Sequence, residues 1–138
     1  MATGYLLDTN VVSETRKRRV APGVTAFFAA VDSIALYVSV LTLGELRKGV
    51  AARGRTDPLS AERLGIWVDG LETTFSSRLL SVDAAVARIW GELSAARSLP
   101  VIDTLIAATA IAGGLTLVTR NIRDVAATGV SLLDPWQE

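Results

Sequence analysis

The chain has 138 residues and contains neither histidine nor cysteine. Without imidazole there is no ordinary general base near neutral pH. Without thiol there is no thiolate nucleophile, no disulfide framework and no soft zinc ligand. If the protein does chemistry, carboxylates and a hard, oxygen-liking cation are expected to do it. Aromatics are scarce at 6%, although half of the residues are hydrophobic. Ala, Val, Leu and Ile carry that apolar content, a composition suited to a parallel sheet under helices. Net charge is also absent, with 14 basic and 14 acidic side chains, so the whole-molecule field does not attract a polyanion. The longest apolar stretch, Val101 to Val118, is interrupted by Asp103, by threonines and by Gly113-Gly114; no membrane segment is expected. The opening Met1-Ala2-Thr3-Gly4 lacks the basic region and long apolar core of a secretory signal, which points to a cytoplasmic protein. A mean hydropathy of +0.40 hints at a buried subunit interface. The length suits one domain spanning residues 1–138.

Apolar and polar runs alternate in a β-α pattern. Tyr5-Leu6-Leu7 is a strand running into Asp8-Thr9-Asn10, residues that favour turns and caps, and a short helix follows over residues 10–18. A helix over Gly23–Val31 and a strand over Ile34–Val40 come next. Thr42-Leu43-Gly44-Glu45 has capping-box spacing and predicts a helix to Gly54 with Thr42 as its cap. After the break at Arg55-Thr56-Asp57-Pro58 a helix extends to about Phe75, followed by a strand at Leu79–Val82. Asp83 then caps a helix to about Ser98. A helix beginning at Asp103 is dense in alanine and apolar on most sides, and Gly113-Gly114 ends it. Strands at Leu115–Thr119 and Val130–Leu133 flank a short helix at Asn121–Ala126. Strands alternating with helices imply parallel pairing and right-handed crossovers. The expected fold is α/β: a three-layer α/β/α sandwich with a central, mainly parallel sheet of four to five strands.

Three acids stand where apolar signals begin or break: Asp8 after Tyr5-Leu6-Leu7, Glu45 within Leu43-Gly44-Glu45-Leu46, and Asp103 after Val101-Ile102. Desolvating a carboxylate costs several kcal/mol unless cations or hydrogen bonds compensate. Three in such settings suggest a shared ion. In parallel sheets sites gather outside the carboxyl ends of the strands, where Asp8, Glu45, Asp103 and Asn121 can meet. Each has a plainer reading. Asp8 and Asp103 can be N-caps, Glu45 the reciprocal partner of Thr42, Asn121 a cap, and Asp124 a solvated helix residue. Residues 1–60 hold eight basic against five acidic side chains. The run Arg16-Lys17-Arg18-Arg19 reads either as a solvated helix end or as a phosphate-contacting rim beside Asp8.

Four blocks together resemble one family: Leu6-Leu7-Asp8-Thr9-Asn10-Val11-Val12-Ser13-Glu14; Ser39-Val40-Leu41-Thr42-Leu43-Gly44-Glu45-Leu46-Arg47-Lys48-Gly49; Asp103-Thr104-Leu105-Ile106-Ala107-Ala108-Thr109-Ala110; and Leu117-Val118-Thr119-Arg120-Asn121-Ile122-Arg123-Asp124. In this order, and with the closing Asp134-Pro135-Trp136, they resemble the PIN-domain family, and within it the VapC-type toxins of bacterial toxin-antitoxin modules. The resemblance covers nearly the whole chain. It implies a PIN-like sandwich, metal-dependent endoribonuclease activity, and Asp8, Glu45 and Asp103 as the acids holding Mg²⁺ or Mn²⁺. The family's fourth acid falls at Asn121, which is neutral, with Asp124 three residues later as the other candidate. Thr9, Asn10, Ser39 and Thr119, beside these ligands, are expected to hydrogen-bond them or their waters. Arg47, Arg120 and Arg123 are candidates for RNA backbone contact. The partners implied are an RNA substrate, for which a structured loop is preferred, a cognate antitoxin, and a second copy of the chain in a homodimer or larger toxin-antitoxin assembly. Without histidine, hydrolysis leaving a 5′-phosphate and a 3′-hydroxyl is expected.

Two other readings stay open. The fold can serve a non-toxin RNA-processing nuclease, or a catalytically weak PIN-like binding scaffold. A phosphoacceptor signalling domain also uses Mg²⁺ on a doubly wound sheet. It needs an acidic pair after the first strand and a lysine near the last, whereas here Thr9 and Asn10 follow Asp8 and the lysines are Lys17 and Lys48.

Overall fold

The computed structural model describes residues 4–137. Five short strands form one sheet: β1 (Tyr5–Leu7), β2 (Leu36–Ser39), β3 (Leu79–Leu80), β4 (Thr116–Val118) and β5 (Leu132–Leu133). Their spatial order is β3-β2-β1-β4-β5, and every pairing is parallel. Central β1 sets Leu7 opposite Val38 on one side and Val118 on the other. The order reverses between β1 and β4, the place where open parallel sheets form their sites.

Side chains alternate across this sheet as the two-residue period of a strand requires. Leu7, Leu36, Val38 and Val118 face one core; Leu6 and Leu117 face another. The first core packs against four helices: α1 (Thr9–Glu14), α2 (Pro22–Ala30), α3 (Val40–Gly54) and α4 (Pro58–Thr74). On the opposite face lie α6 (Val101–Gly113) and α7 (Ile122–Val125), with α5 (Ala84–Ala96) packed on α6. The sandwich and its parallel sheet agree with the expectation from the sequence. The alanine-rich α6 is the innermost helix, its Ala107, Ala108 and Ala110 fully buried. Gly114 ends it in the left-handed conformation at φ +63°, where glycine pays no Cβ penalty. Among the described residues no helix is long and apolar enough to cross a membrane.

Several boundaries differ from expectation for tertiary reasons. The first helix stops at Glu14 rather than residue 18, leaving Arg16, Lys17, Arg18 and Arg19 in an exposed turn. Buried Glu14 turns the chain there: it accepts the Ala21 amide at 2.9 Å and pairs with the Lys17 ammonium at 2.9 Å. These two contacts hold its carboxyl below the usual range. The solvated helix end proposed for Arg16–Arg19 is therefore a turn. The Thr42 capping box does not form. Ser39 caps α3 instead, accepting from the Leu41 amide at 3.0 Å, and Thr42 is buried within the first turn. Asp103 is the third residue of α6, after Val101, and Pro100 occupies the cap position, so Asp103 is not an N-cap. Asp83 and Asp57 do cap α5 and α4, accepting from Val86 and Ser60.

The C-terminal segment closes the first core. Trp136 packs against it, and Pro135 crosses the start of α2 so closely that a Cβ on Gly23 would lie 1.9 Å from the Pro135 carbonyl oxygen. Backbone cannot yield there as a side-chain tip can. Gly23→Ala is expected to lower stability by about 1–3 kcal/mol in urea unfolding. Gly70→Ala, at an exposed position of α4 with nothing within 4 Å of the added carbon, is expected to raise it by up to about 1 kcal/mol. Equal effects from the two would refute this account of the closing contact.

Candidate active site

Asp8 follows β1 directly and leaves water: only 8% of its surface is exposed. Each carboxylate oxygen has one partner. Oδ1 accepts the Thr9 amide at 2.8 Å, so Asp8 is also the N-cap of α1. Oδ2 accepts the Thr119 hydroxyl at 2.7 Å. Thr119 leaves β4 as Asp8 leaves β1, and its own oxygen receives the Asn121 amide at 2.9 Å. Adjacent parallel strands thus carry residues 111 positions apart in sequence into one hydrogen-bonded unit.

Desolvation dominates these bonds, and Asp8's pKa is raised, with the Glu45 charge adding to the rise. Asp103, half-buried in the first turn of α6, is likewise raised, first by desolvation and then by the negative charges of Asp8, Glu45 and Asp124. Four acids therefore act on one region at the carboxyl ends of β1, β2 and β4. Asn121 donates through Nδ2 to Asp103 Oδ2 at 3.3 Å and makes no side-chain cap bond to α7. Its predicted role as a helix cap is replaced by this contact. Glu45 is exposed on α3 and accepts the Thr9 hydroxyl, which lies 3.0 Å from Thr42 Oγ1. The reciprocal capping role drawn for Glu45 is thereby excluded, because Thr9 occupies its oxygen and Ser39 holds the cap.

Among the described residues, no three acidic side chains are gathered tightly enough to hold a metal ion as they stand. Chemically the donors fit a hard divalent ion, being oxygens throughout. Asp8, Asp103 and Glu45 would hold it, with the Asn121 amide and exposed Asp124 at the margin.

The other expected residues divide. Thr9 and Thr119 hydrogen-bond the acids, whereas Ser39 serves as the α3 cap. The buried Asn10 side-chain oxygen has no hydrogen-bond partner among the described residues. Arg47 is turned away: two positions beyond Glu45 on α3, it pairs with Asp69 and Glu72 of α4. Arg120 lies over the Trp136 ring, 5.0 Å from its centroid, and Arg123 is exposed on α7. Buried Glu14 and Thr42 have no distinct sequence signal. Both sit inside quoted motifs, but nothing local separates them from solvated neighbours.

The chain belongs to the PIN domain family, whose model matches residues 5–128. It is 31% identical to Toxin FitB of Neisseria gonorrhoeae over 96% of this chain and 99% of that protein. To VapC ribonuclease Y4jK of Sinorhizobium fredii it is 32% identical, over 96% of this chain and 97% of that protein. Its fold superposes on the crystal structure of FitAcB from Neisseria gonorrhoeae with a TM-score of 0.80 at 31% identity, covering 97% of this chain and 99% of that one.

Because folding raises the Asp8 pKa, the protonated carboxyl is the better tolerated form. Its ionisation costs stability as pH climbs through the folded pKa, and no cost arises below the unfolded one. In EDTA at pH 7, Asp8→Asn is therefore expected to melt above wild type. Near pH 3 the two should coincide. Added Mg²⁺ should raise the wild-type melting temperature and leave the variant unmoved. A variant that melts lower at pH 7, with no response to Mg²⁺ in either protein, would make Asp8 an ordinary stabilising cap.

Proposed function

We propose that this protein is a Mg²⁺- or Mn²⁺-dependent endoribonuclease that acts as the toxin of a cytoplasmic toxin-antitoxin pair, with residues 1–138 forming one PIN domain. The observation that supports it most is that Asp8, Asp103 and Glu45 lie near enough at the sheet's switch point to feel one another's charge, with the first two carboxyls held above their ordinary pKa by burial and by that charge. A site that strains its own acids in this way favours a divalent cation. When bound, such a cation lowers the pKa of water and neutralises charge on phosphoryl oxygens.

The chain's own groups supply orientation. Thr9 and Thr119 fix Asp8 from two directions, so its oxygens point where the strands place them. Asn121 steadies Asp103 without adding a charge. Thr9 also holds Glu45, linking α1 to α3 across the site. No imidazole is available to take a proton from a ribose 2′-hydroxyl, so hydrolysis by water is the route that these residues support. The relatives named a toxin and a VapC ribonuclease favour the toxin role over a processing nuclease. A cognate antitoxin covering the acids and a second copy of the chain complete the assembly proposed.

Incubating purified protein with total RNA and mapping the ends tests this reading. Cleavage should need Mg²⁺ or Mn²⁺, leave 5′-phosphate and 3′-hydroxyl ends, and fall at least about 100-fold in Asp8→Asn and Asp103→Asn while their folding stays cooperative. Expression should arrest growth, and a small neighbouring gene product should relieve the arrest. Cleavage that survives EDTA, ends in a 2′,3′-cyclic phosphate, or persists in both variants would overturn the proposal.

A further inference from the structure

Beside the acids lies a groove of about 420 Å³ between α1, the 15–19 turn, α3 and α4. It shares Thr9 and Glu45 with the acid site, so the two are continuous. Its size falls in the lower part of the range of small-ligand cavities, about 300–1,000 Å³. Three cations line it, and they are not equivalent. Lys17 is taken by Glu14, whereas Arg16 and Arg53 have no acidic partner within ion-pair distance among the described residues. Arg53 donates only to the Ser60 hydroxyl, at 3.2 Å. In a chain of zero net charge this is a placed excess of positive charge, and it adjoins a site that otherwise repels anions.

An aromatic face completes the groove. Half-buried Trp67 lines it, with the Arg16 guanidinium 6.0 Å from the ring centroid, the outer limit of a cation-π contact. So loose a contact leaves the ring free to take a planar partner while Arg16 turns to an anion. Gly49 leaves the floor open: a Cβ there would reach only Leu64, at 3.8 Å, with no clash. Arg53 lies eight residues beyond Glu45 on the same helix, about 12 Å at 1.5 Å per residue. A single strand leaving the acids along α3 would pass it.

We propose that this groove is the subsite for the nucleotide next to the scissile phosphate, with its base against Trp67 and its phosphate between Arg16 and Arg53. The inference rests on the ribonuclease reading above. Stacking on an aromatic face together with unpaired cations is the chemistry that takes single-stranded RNA, and a paired base cannot present its face in this way. Of the four-residue basic run, Arg16 is then the member that contacts substrate.

The test measures binding of a fluorescein-labelled, mixed-sequence single-stranded RNA octamer in EDTA, where no cleavage occurs, across a range of salt. Arg16→Ala/Arg53→Ala should reduce the slope of log affinity against log salt by about 0.7 for each phosphate that the pair no longer neutralises. Trp67→Ala should weaken binding at least about fivefold, and Trp67→Phe should recover most of it, because phenylalanine keeps a stacking face. Gly49→Leu, which fills the floor one helical turn beyond Glu45, should weaken binding similarly. With Mg²⁺ it should raise KM. Unchanged affinity, salt slope and KM in the arginine pair and in Gly49→Leu, with cleavage still abolished in Asp8→Asn, would remove the subsite and leave the nuclease standing. Loss of antitoxin binding alone in those variants would overturn it in favour of a protein segment. If wild type neither binds the octamer nor cleaves RNA, both proposals fall.

Discussion

Everything in the site turns on one carboxylate drawn out of water at the end of the central strand. Asp8 has two hydrogen-bond donors, Thr9 from its own chain direction and Thr119 from the neighbouring strand. Together they do not offset its desolvation. The sheet makes this placement unavoidable. With β1 flanked by β2 and β4 and all strands parallel, the residue after Leu7 must emerge where the chain order reverses, between two elements that both end there. The same atoms serve the fold and the site, because Oδ1 starts α1 while Oδ2 ties β1 to β4. Removing the charge and removing the cap are therefore separable experiments, and asparagine separates them by keeping an oxygen that can accept the Thr9 amide.

Support for the second acid comes from the opposite face of the sheet. Helix α6 is packed so closely through Ile106, Ala107 and Ala110 against Leu6 and Leu117 that its first turn has little freedom, and Asp103 projects from that turn. Alanine permits this approach, since larger side chains would lift α6 off the sheet and carry Asp103 away from Asp8. Thr104 ties down the start of the helix by donating its hydroxyl to the Pro100 carbonyl. The apolar core of α6 and the chemistry at its N-terminus are thus one constraint seen from two ends.

The alternation of strands and helices was legible because each element carries its own period and its own stops: Pro58 and Asp57 at α4, Asp83 at α5, Gly114 after α6. Asp8 stood out as a candidate because an acid directly after an apolar strand has no local explanation beyond a cap, and its bond to Thr119 adds one that no local window contains. Illegible features had equivalent local candidates. Ser39 and Thr42 are both competent caps, and only the burial of Thr42 against Thr9 decides between them. Asp103 and Pro100 compete for the start of α6 in the same way. Arg47 and Arg16 look alike as cations near motifs. The first is neutralised by α4 acids 22 and 25 residues later, while the second faces the groove. Long-range pairing is absent from any window of sequence, so these choices became visible only with the fold.

Asn121 shows why a departure from a family's pattern can be consistent with its chemistry. A fourth carboxylate here would add its charge to Asp8, Glu45 and Asp124, all of which already raise the Asp103 pKa. The amide instead points a donor at Asp103 Oδ2 and brings no charge. Asp124, exposed on α7, supplies negative charge from where water screens it. An amide here therefore costs the half-buried Asp103 less than a further carboxylate would. The loop after β4 and the first turn of α6 are therefore joined by a donor and an acceptor rather than by two like charges, and the burial that already raises the Asp103 pKa is not made costlier by its neighbour.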